Sequence, residues 1–313
     1  MAGILSADAI DFAAYMRETE CKAKVRSARD FESDLQAEFQ EPSSRKRSAT
    51  MFSSKMRHYL EFRPGEVTCW AGYNGHRKSM FTGQVAAELC YQGEKVLIAS
   101  MEMLPGRTLA RMARQVNGRN ELSRNAVSRF TRWTDGRLWL FDHMGRITPD
   151  LMLGVCMYFA DEIKGGHLFI DSMMMVCASE ESLDEQKQFV TDLVRVAQET
   201  GLHIHLVAHC RKPQDETKPP TKYDVRGSGA ITDQSHNVVM VWANKEKKSQ
   251  LEKDPHDEKA LSFPDAAVTV EKQRNGSYEG RLRYWFDERS FRFTDERTTP
   301  VESWLTADDE GGP

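Results

Sequence analysis

The chain alternates between short apolar runs and longer segments whose apolar residues recur at helical spacing. "EVTCWA" (66–71), "KVLIAS" (95–100), "RLWLFD" (137–142), "HLFID" (167–171) and "LHIHLVA" (202–208) predict strands. Between them, 79–92, 105–117, 148–162 and 182–200 predict helices. The third of these opens at Thr148-Pro149, with proline in the first turn, where its missing N–H costs nothing. Apolar strands alternating with amphipathic helices specify an α/β fold, a mainly parallel sheet covered on both faces. After residue 235 the pattern changes to strands with little helix. "NVVMVWA" (237–243), "AAVTVEKQ" (266–273) and "GRLRYWFDE" (280–288) predict antiparallel strands at the C-terminal edge.

Residues 1–45 differ from the rest of the chain. Ser6 is placed to cap a helix through "ADAIDFAAYMRE", and a charged helical stretch continues to about Gln40. "EPSSRKRS" (41–48) is a linker by composition, and its basic cluster reads as a solvated hinge rather than a targeting signal. The expected division is an N-terminal helical extension and linker (1–50), an α/β domain (51–298) and an acidic tail (299–313).

Composition narrows the partners. The net charge of −4 and pI near 6.2 exclude a uniformly basic nucleic-acid binder but leave room for a local basic surface. Six cysteines are scattered without a C-x-x-C pair, which argues against a zinc site or a disulfide framework and for a reducing compartment. No apolar run approaches the ~20 residues a bilayer requires, and the N-terminus lacks a basic region followed by an apolar one, so no signal peptide is expected. A cytoplasmic protein is expected.

"GYNGHRKSM" (72–80) follows a predicted strand and precedes a predicted helix. It fits the phosphate-binding template G-x-x-x-x-G-K-[ST] at Gly72, Lys78 and Ser79, with Asn74, Gly75 and His76 between, but Arg77 replaces the second glycine. In such a loop, backbone N–H groups and a helix N-terminus surround the anion, the lysine reaches the outer phosphates and the hydroxyl binds magnesium. So short a pattern also arises by chance. Three further polar residues stand where strands end: Glu102 in "SMEM", Asp171 in "HLFID" and His209 after "HLVA". Ligands in open parallel sheets lie beyond those ends. Singly, Asp171 also reads as a turn cap, Glu102 as a solvated side chain and His209 as a core histidine. Together, downstream of a lysine-serine loop, they favour an NTP site with Mg²⁺ near Ser79 and Asp171.

In "RPGEVTCWAGYNGHRKS", "SMEM", "LFIDS", "HLVAHCRKP", "DVRGSGAITDQSHNVVMV" and "EKQRNGSYEG" the chain resembles the ring helicases of the DnaB type, close to the helicase halves of phage primase-helicases and of mitochondrial Twinkle. The resemblance runs from about Arg63 to Phe293, roughly three quarters of the chain. It implies a RecA-like fold and ATP, or another NTP or dNTP, as substrate with Mg²⁺. It implies a homo-oligomer, a hexameric ring around single-stranded DNA that unwinds duplex at a replication fork, with a separate primase and DNA polymerase as further partners and no membrane. By the same resemblance Glu102 activates water, Asp171 supports Mg²⁺ and His209 senses the γ-phosphate. Arg226, Gly227, Ser228 and Gly229 face DNA, and Lys272 and Arg274 reach the nucleotide of a neighbouring subunit. The compartment would be the cytoplasm, that of the host for a phage-encoded protein.

Two departures qualify the resemblance. Arg77 stands where glycine normally permits unusual dihedrals, and is expected to bear some strain with its side chain toward solvent or a phosphate. Residues 1–45 offer no room for a primase and no cysteine cluster for its zinc module, so the extension is expected to act as a linker helix against a neighbour. The acidic "ADDEGGP" (307–313) reads either as a tail that recruits a replication partner or as a solubilising one. Two other functions fit the same residues. One is a RecA-type DNA-stimulated ATPase or recombinase; the other is a nucleotide-binding ring subunit or loader that does not unwind.

Overall fold

Strict alternation along the central strands decides the architecture. In the computed structural model, which describes residues 27–39, 48–177, 182–213 and 215–305, successive residues of each strand enter two separate apolar cores. Cys69, Ala71, Leu97, Ala99, Leu168, Ile170, Leu206 and Met240 face one core, with Met152, Phe159, Phe189 and Leu193 from helices Pro149–Asp161 and Leu183–Thr200. Trp70, Val96, Ile98, Phe169, Val207 and Val239 face the other, against helices Lys78–Tyr91, Pro105–Asn117 and Arg124–Thr134. Both faces of the central part of the sheet are covered, so its central strands are buried along nearly their whole length.

The strands in chain order are β1 (Ala49–Thr50), β2 (Glu61–Phe62), β3 (Val67–Gly72), β4 (Val96–Ser100), β5 (Leu138–Leu140) and β6 (His167–Asp171). They continue with β7 (His203–His209), β8 (Asn237–Ala243), β9 (Ala266–Gln273), β10 (Gly280–Asp287) and β11 (Arg292–Thr294). β1 and β2 pair with each other, and the other nine form one sheet in the order β11-β10-β9-β8-β3-β7-β6-β4-β5. From β8 to β5 all neighbours are parallel, and β9, β10 and β11 add antiparallel. This is the expected α/β sheet, with its antiparallel strands at the C-terminal edge. Thr148 accepts the Leu151 N–H and Pro149 opens the helix, as the sequence indicates.

Among the described residues four α-helices escape the periodicity reading, the five-residue Ala230–Gln234 being one. Arg124–Thr134 buries only Phe130, Trp133 and Thr134 among its arginines. Lys245–Lys253 and Glu258–Ser262 bury one residue each, Lys247 and Ala260. The first of this pair is held by its Asn244 cap and by Lys247, whose ammonium meets Phe263 O and Asp265 Oδ1, each at 2.7 Å. Charge and capping, not an apolar stripe, specify the last two, whereas Arg124–Thr134 presents a short stripe at Phe130, Trp133 and Thr134.

The chain divides into two compact units, Met1–Arg47 and Ser48–Pro313. In the first, Ala28–Phe31 forms a 3₁₀ turn capped by Ser27 and Glu32–Glu38 an α-helix. The expected helix from Ser6, the linker 41–47 and the acidic end 306–313 lie outside the described residues. Among the described residues, Cys69, Cys90, Cys156, Cys177 and Cys210 are free and buried, and no helix is long and apolar enough to cross a membrane.

Candidate active site

Backbone crowding fixes the start of the phosphate loop. A Cβ on Gly72 would lie 2.2 Å from Val241 O on β8, so only glycine fits. The chain turns through 73–77 into the helix at Lys78, with Asn74 and Gly75 exposed at the crest. Gly75 (φ 74) and Arg77 (φ 63) are both left-handed. A turn of this kind, leading into a 14-residue helix, is an anion-binding arrangement. His76 belongs to the loop through its backbone alone. Its ring is fully buried, accepts the Ala243 N–H at Nδ1 (3.1 Å) and is held near a pKa of about 4 by burial.

Arg77 occupies the glycine conformation at a cost of about 1–2 kcal/mol for an L-residue. Its side chain, about one-fifth exposed, lies against the end of β10 rather than out in solvent. The guanidinium donates to Glu288 Oε1 at 2.6 Å and lies 3.8 Å from the centre of the Phe286 ring. These contacts tie the loop to the end of β10. Beside them opens a cavity of about 910 Å³ walled by Gly75, Arg77, Lys245, Trp285 and Phe286.

Adjacent parallel strands end side by side, and their final residues converge. Gly72 pairs with His209 across β3–β7, and Ser100 with Asp171 across β4–β6. Lys78 Nζ donates to Gly72 O and Tyr73 O, both at 3.0 Å; burial draws its pKa down, opposed by Asp171. Burial raises the pKa of the Asp171 carboxylate, and the neighbouring Ser79 hydroxyl opposes that rise. A hydroxyl and a carboxylate are hard oxygen donors suited to Mg²⁺, which commonly takes one or two protein oxygens and completes its shell with phosphate and water. Among the described residues no three His, Cys, Asp or Glu side chains converge on a metal position. Glu102 Oε1 accepts Ser172 Oγ–H at 2.8 Å and lies 3.8 Å from His209 Nε2. The neighbouring His209 ring, ahead of the hydrogen bond from Ser172, holds the carboxyl below its ordinary pKa against the effect of burial. Ser172 was missed from sequence, although a hydroxyl directly after a site aspartate is a usable signal.

The next segment hangs directly on His209. Arg226 N–H donates to His209 O (2.8 Å), Cys210 bridges Val225, and Arg211 N–H donates to Asp224 O (2.8 Å). The chain therefore leaves the sheet after His209 and Cys210 and returns to the same point at Val225 and Arg226. Gly227 (φ 99) packs where a Cβ would strike Gln186 Oε1 at 2.2 Å, and that oxygen accepts the Ser228 N–H. Gly229 precedes the short helix Ala230–Gln234.

Lys272 and Arg274 are not brought into this site. β9 runs antiparallel to β8, so its last residues lie at the opposite end of the sheet, where Arg274 N–H bonds His236 O. Lys272 Nζ donates to Thr232 O and Asp233 O, and Arg274 Nη2 to Asp233 O, at the C-terminal end of helix Ala230–Gln234. β9 is also an interior strand and not the sheet's edge.

A mainly parallel sheet with a lysine-serine loop and acids at neighbouring strand ends defines a P-loop nucleotide-binding domain. The family model "DnaB-like helicase C terminal domain" matches residues 50–295, and the chain belongs to that family. It is 24% identical over 208 residues to a DNA helicase/primase of Enterobacteria phage T3, a match covering 60% of this chain and 37% of that protein. The chain thus spans little more than a third of that curated relative. Among solved structures it resembles an isolated ATPase domain (TM-score 0.69, 16% identity, 85% of this chain and 99% of that one). It also resembles a DnaB-like replicative helicase studied with primase (TM-score 0.68, 15% identity, 91% and 71%).

Proposed function

We propose that this helicase domain hydrolyses ATP or a related nucleoside triphosphate and uses the energy to move along single-stranded DNA and unwind duplex at a fork. The observation that carries the reading is the convergence of Lys78, Ser79, Asp171, Glu102 and His209, with the 210–229 segment bonded to the backbone of His209. The triphosphate would lie on 72–79 with Lys78 exchanging its loop carbonyls for the outer phosphates. The nucleoside would find room in the neighbouring cavity. Mg²⁺, held by Ser79 and Asp171, would neutralise phosphate charge. Glu102, ionised at neutral pH, would accept a proton from the attacking water, and Ser172 holds it in place. His209 would report loss of the outer phosphate to Arg226, Gly227, Ser228 and Gly229 through the Arg226 N–H. DNA phosphates would meet those residues, giving sequence-independent, salt-sensitive binding.

The ring rests on two features. Phe31, Leu35 and Phe39, spaced four apart, are 42%, 59% and 82% exposed, a stripe suited to a second copy of the chain. Arg274 lies at the end of the sheet away from its own loop, where it would serve a neighbour's nucleotide, with Lys272 beside it. An arginine supplied in trans is worth ~10³–10⁵ in rate in comparable NTPases. A separate primase and polymerase, and the cytoplasm as the compartment, follow from the same reading.

The test is forked-duplex unwinding together with DNA-stimulated hydrolysis. Arg226→Ala should weaken binding equally for all sequences and flatten its salt dependence. Arg274→Ala and Lys78→Ala subunits, each inactive alone, should regain hydrolysis when mixed and allowed to exchange. Hydrolysis and strand exchange without unwinding would favour a recombinase; nucleotide binding without turnover would favour a loader.

A further inference from the structure

Lys245 leaves β8 one residue after its cap and returns over the phosphate loop. Its ammonium lies 3.9 Å from where a Cβ on Gly75 would stand. In this position Nζ bonds Glu216 Oε2 at 2.8 Å, and the same oxygen lies 3.7 Å from His76 Nε2. Glu216 belongs to the segment that hangs on His209, and its own backbone oxygen accepts the Trp242 indole N–H at 2.9 Å. The bond from Lys245, and then its charge, hold the Glu216 carboxyl below its ordinary pKa. His76 completes the contact. Its Nδ1 accepts the Ala243 N–H, so the neutral ring carries its proton on Nε2. That N–H is buried, faces Glu216 and lies beyond hydrogen-bond reach of it.

The arrangement conflicts with an occupied loop. A triphosphate on 72–79 would bring several negative charges beside the Glu216 carboxylate and within reach of the same ammonium. The flexible stem of lysine lets it change anions, whereas the carboxylate is repelled. We propose that Lys245 is a phosphate-sensing cation: without nucleotide it clasps the 211–222 segment through Glu216, and with nucleotide it moves to a phosphate oxygen and releases that segment toward DNA. This rests on the nucleotide and DNA reading above and adds a second link between the two sites, independent of His209. Neither residue carries a sequence signal, because the pair is 29 residues apart and outside every motif.

The experiment measures the affinity of the full chain for a fluorescein-labelled oligothymidylate, with and without a non-hydrolysable ATP analogue and Mg²⁺. In the wild type the analogue should raise DNA affinity by roughly 5- to 150-fold, the usual range of coupling between sites. Glu216→Gln should bind DNA without nucleotide as tightly as the nucleotide-bound wild type, reducing that ratio to within about twofold. Lys245→Met should also lose the ratio and should bind the analogue about tenfold more weakly. Both side chains are nearly half exposed, so both variants should melt with the wild type. A wild-type ratio in Glu216→Gln, unchanged analogue affinity in Lys245→Met, or wild-type DNA affinity indifferent to nucleotide overturns the clasp and leaves the helicase reading standing. Failure of the wild type to bind the oligonucleotide in either state overturns both.

Discussion

β7 carries histidines at both ends, and the two ends use them differently. In its first half, His205 accepts the Trp70 indole N–H at Nδ1 (3.2 Å), stacks on Phe169 at 4.0 Å and lies 3.3 Å from His167 Nδ1 through Nε2. Because Trp70 can only donate, the neutral His205 carries its proton on Nε2 and passes it toward His167. His203 is as well served, by Thr68 Oγ1 at 2.8 Å and Arg63 O at 2.7 Å. At the other end His209 has a buried Nδ1 without a hydrogen-bond partner, and its Nε2 stands 3.8 Å from Glu102. Residue type and strand are the same. The difference is satisfied capacity: the first cluster closes on itself, and the second keeps bonding positions for something that arrives.

The sharpest break comes at the open end. Lys78→Ala should lower DNA-stimulated turnover by about 10²-fold or more, since the ammonium at the outer phosphates is worth roughly 3 kcal/mol or more in the transition state. In the resting loop that ammonium meets only two carbonyls, so urea unfolding should shift by about 1 kcal/mol or less. A variant that turns over normally, or one that simply unfolds, would erase the distinction between the two ends.

The closed end should respond in stability rather than in turnover. His205→Ala removes a fully buried ring and orphans the Trp70 N–H, costing about 3 kcal/mol. His209→Ala should cost about 1 kcal/mol or less in unfolding while abolishing stimulation of hydrolysis by DNA. Chemical denaturation and turnover of both variants check the pair, and a larger stability loss at His209 than at His205 would refute the comparison.

Protonation sharpens it further. Burial holds His203 down to about 4 and pushes His167 and His205 well down as well, whereas an unfolded histidine titrates near 6.5. Between those values the unfolded chain binds a proton that the folded chain refuses. Stability is therefore complete above about pH 6.5 and falls as pH drops toward 4, by about 1.4 kcal/mol per pH unit for each such histidine. His76, held to about 4, adds in the same direction. Urea midpoints at pH 7.5 and 5.5 measure the slope, and a flat response would mean that the cluster is not neutral in the folded chain.

The parallel part of the sheet was legible because both its faces are buried, which leaves its strands as short, mostly apolar runs between helices. Lys245–Lys253 was not, since "KEKKSQLEK" buries a single lysine and presents no stripe. The site was half legible. Gly72, Lys78, Ser79, Glu102, Asp171 and His209 follow from strand ends, because a parallel sheet places such ends together whatever lies between them. Glu288 against Arg77 and Glu216 against Lys245 join distant, exposed charges, and only the folded chain brings them together. Nor does sequence separate His205 from His209, because partners decide it and the partners sit on other strands.

Arg77 gives the smallest effect and the finest test. Its left-handed backbone costs about 1–2 kcal/mol, and the exposed-side pair with Glu288 and the contact with Phe286 return about 0.5–1 kcal/mol each. Arg77→Gly relieves the strain, gives up both contacts and adds glycine's own entropy cost of about 0.5–1 kcal/mol. The sum should lie within about 1 kcal/mol of the wild type, with turnover kept or raised, because nothing at the phosphates is removed. Arg77→Ala keeps the left-handed strain and loses both contacts, so it should be less stable than the glycine variant by about 1 kcal/mol. Thermal or urea unfolding of the three proteins decides it. Alanine equal to or above glycine would show that position 77 bears no left-handed strain in solution, and a glycine variant without turnover would assign Arg77 a role in the chemistry itself.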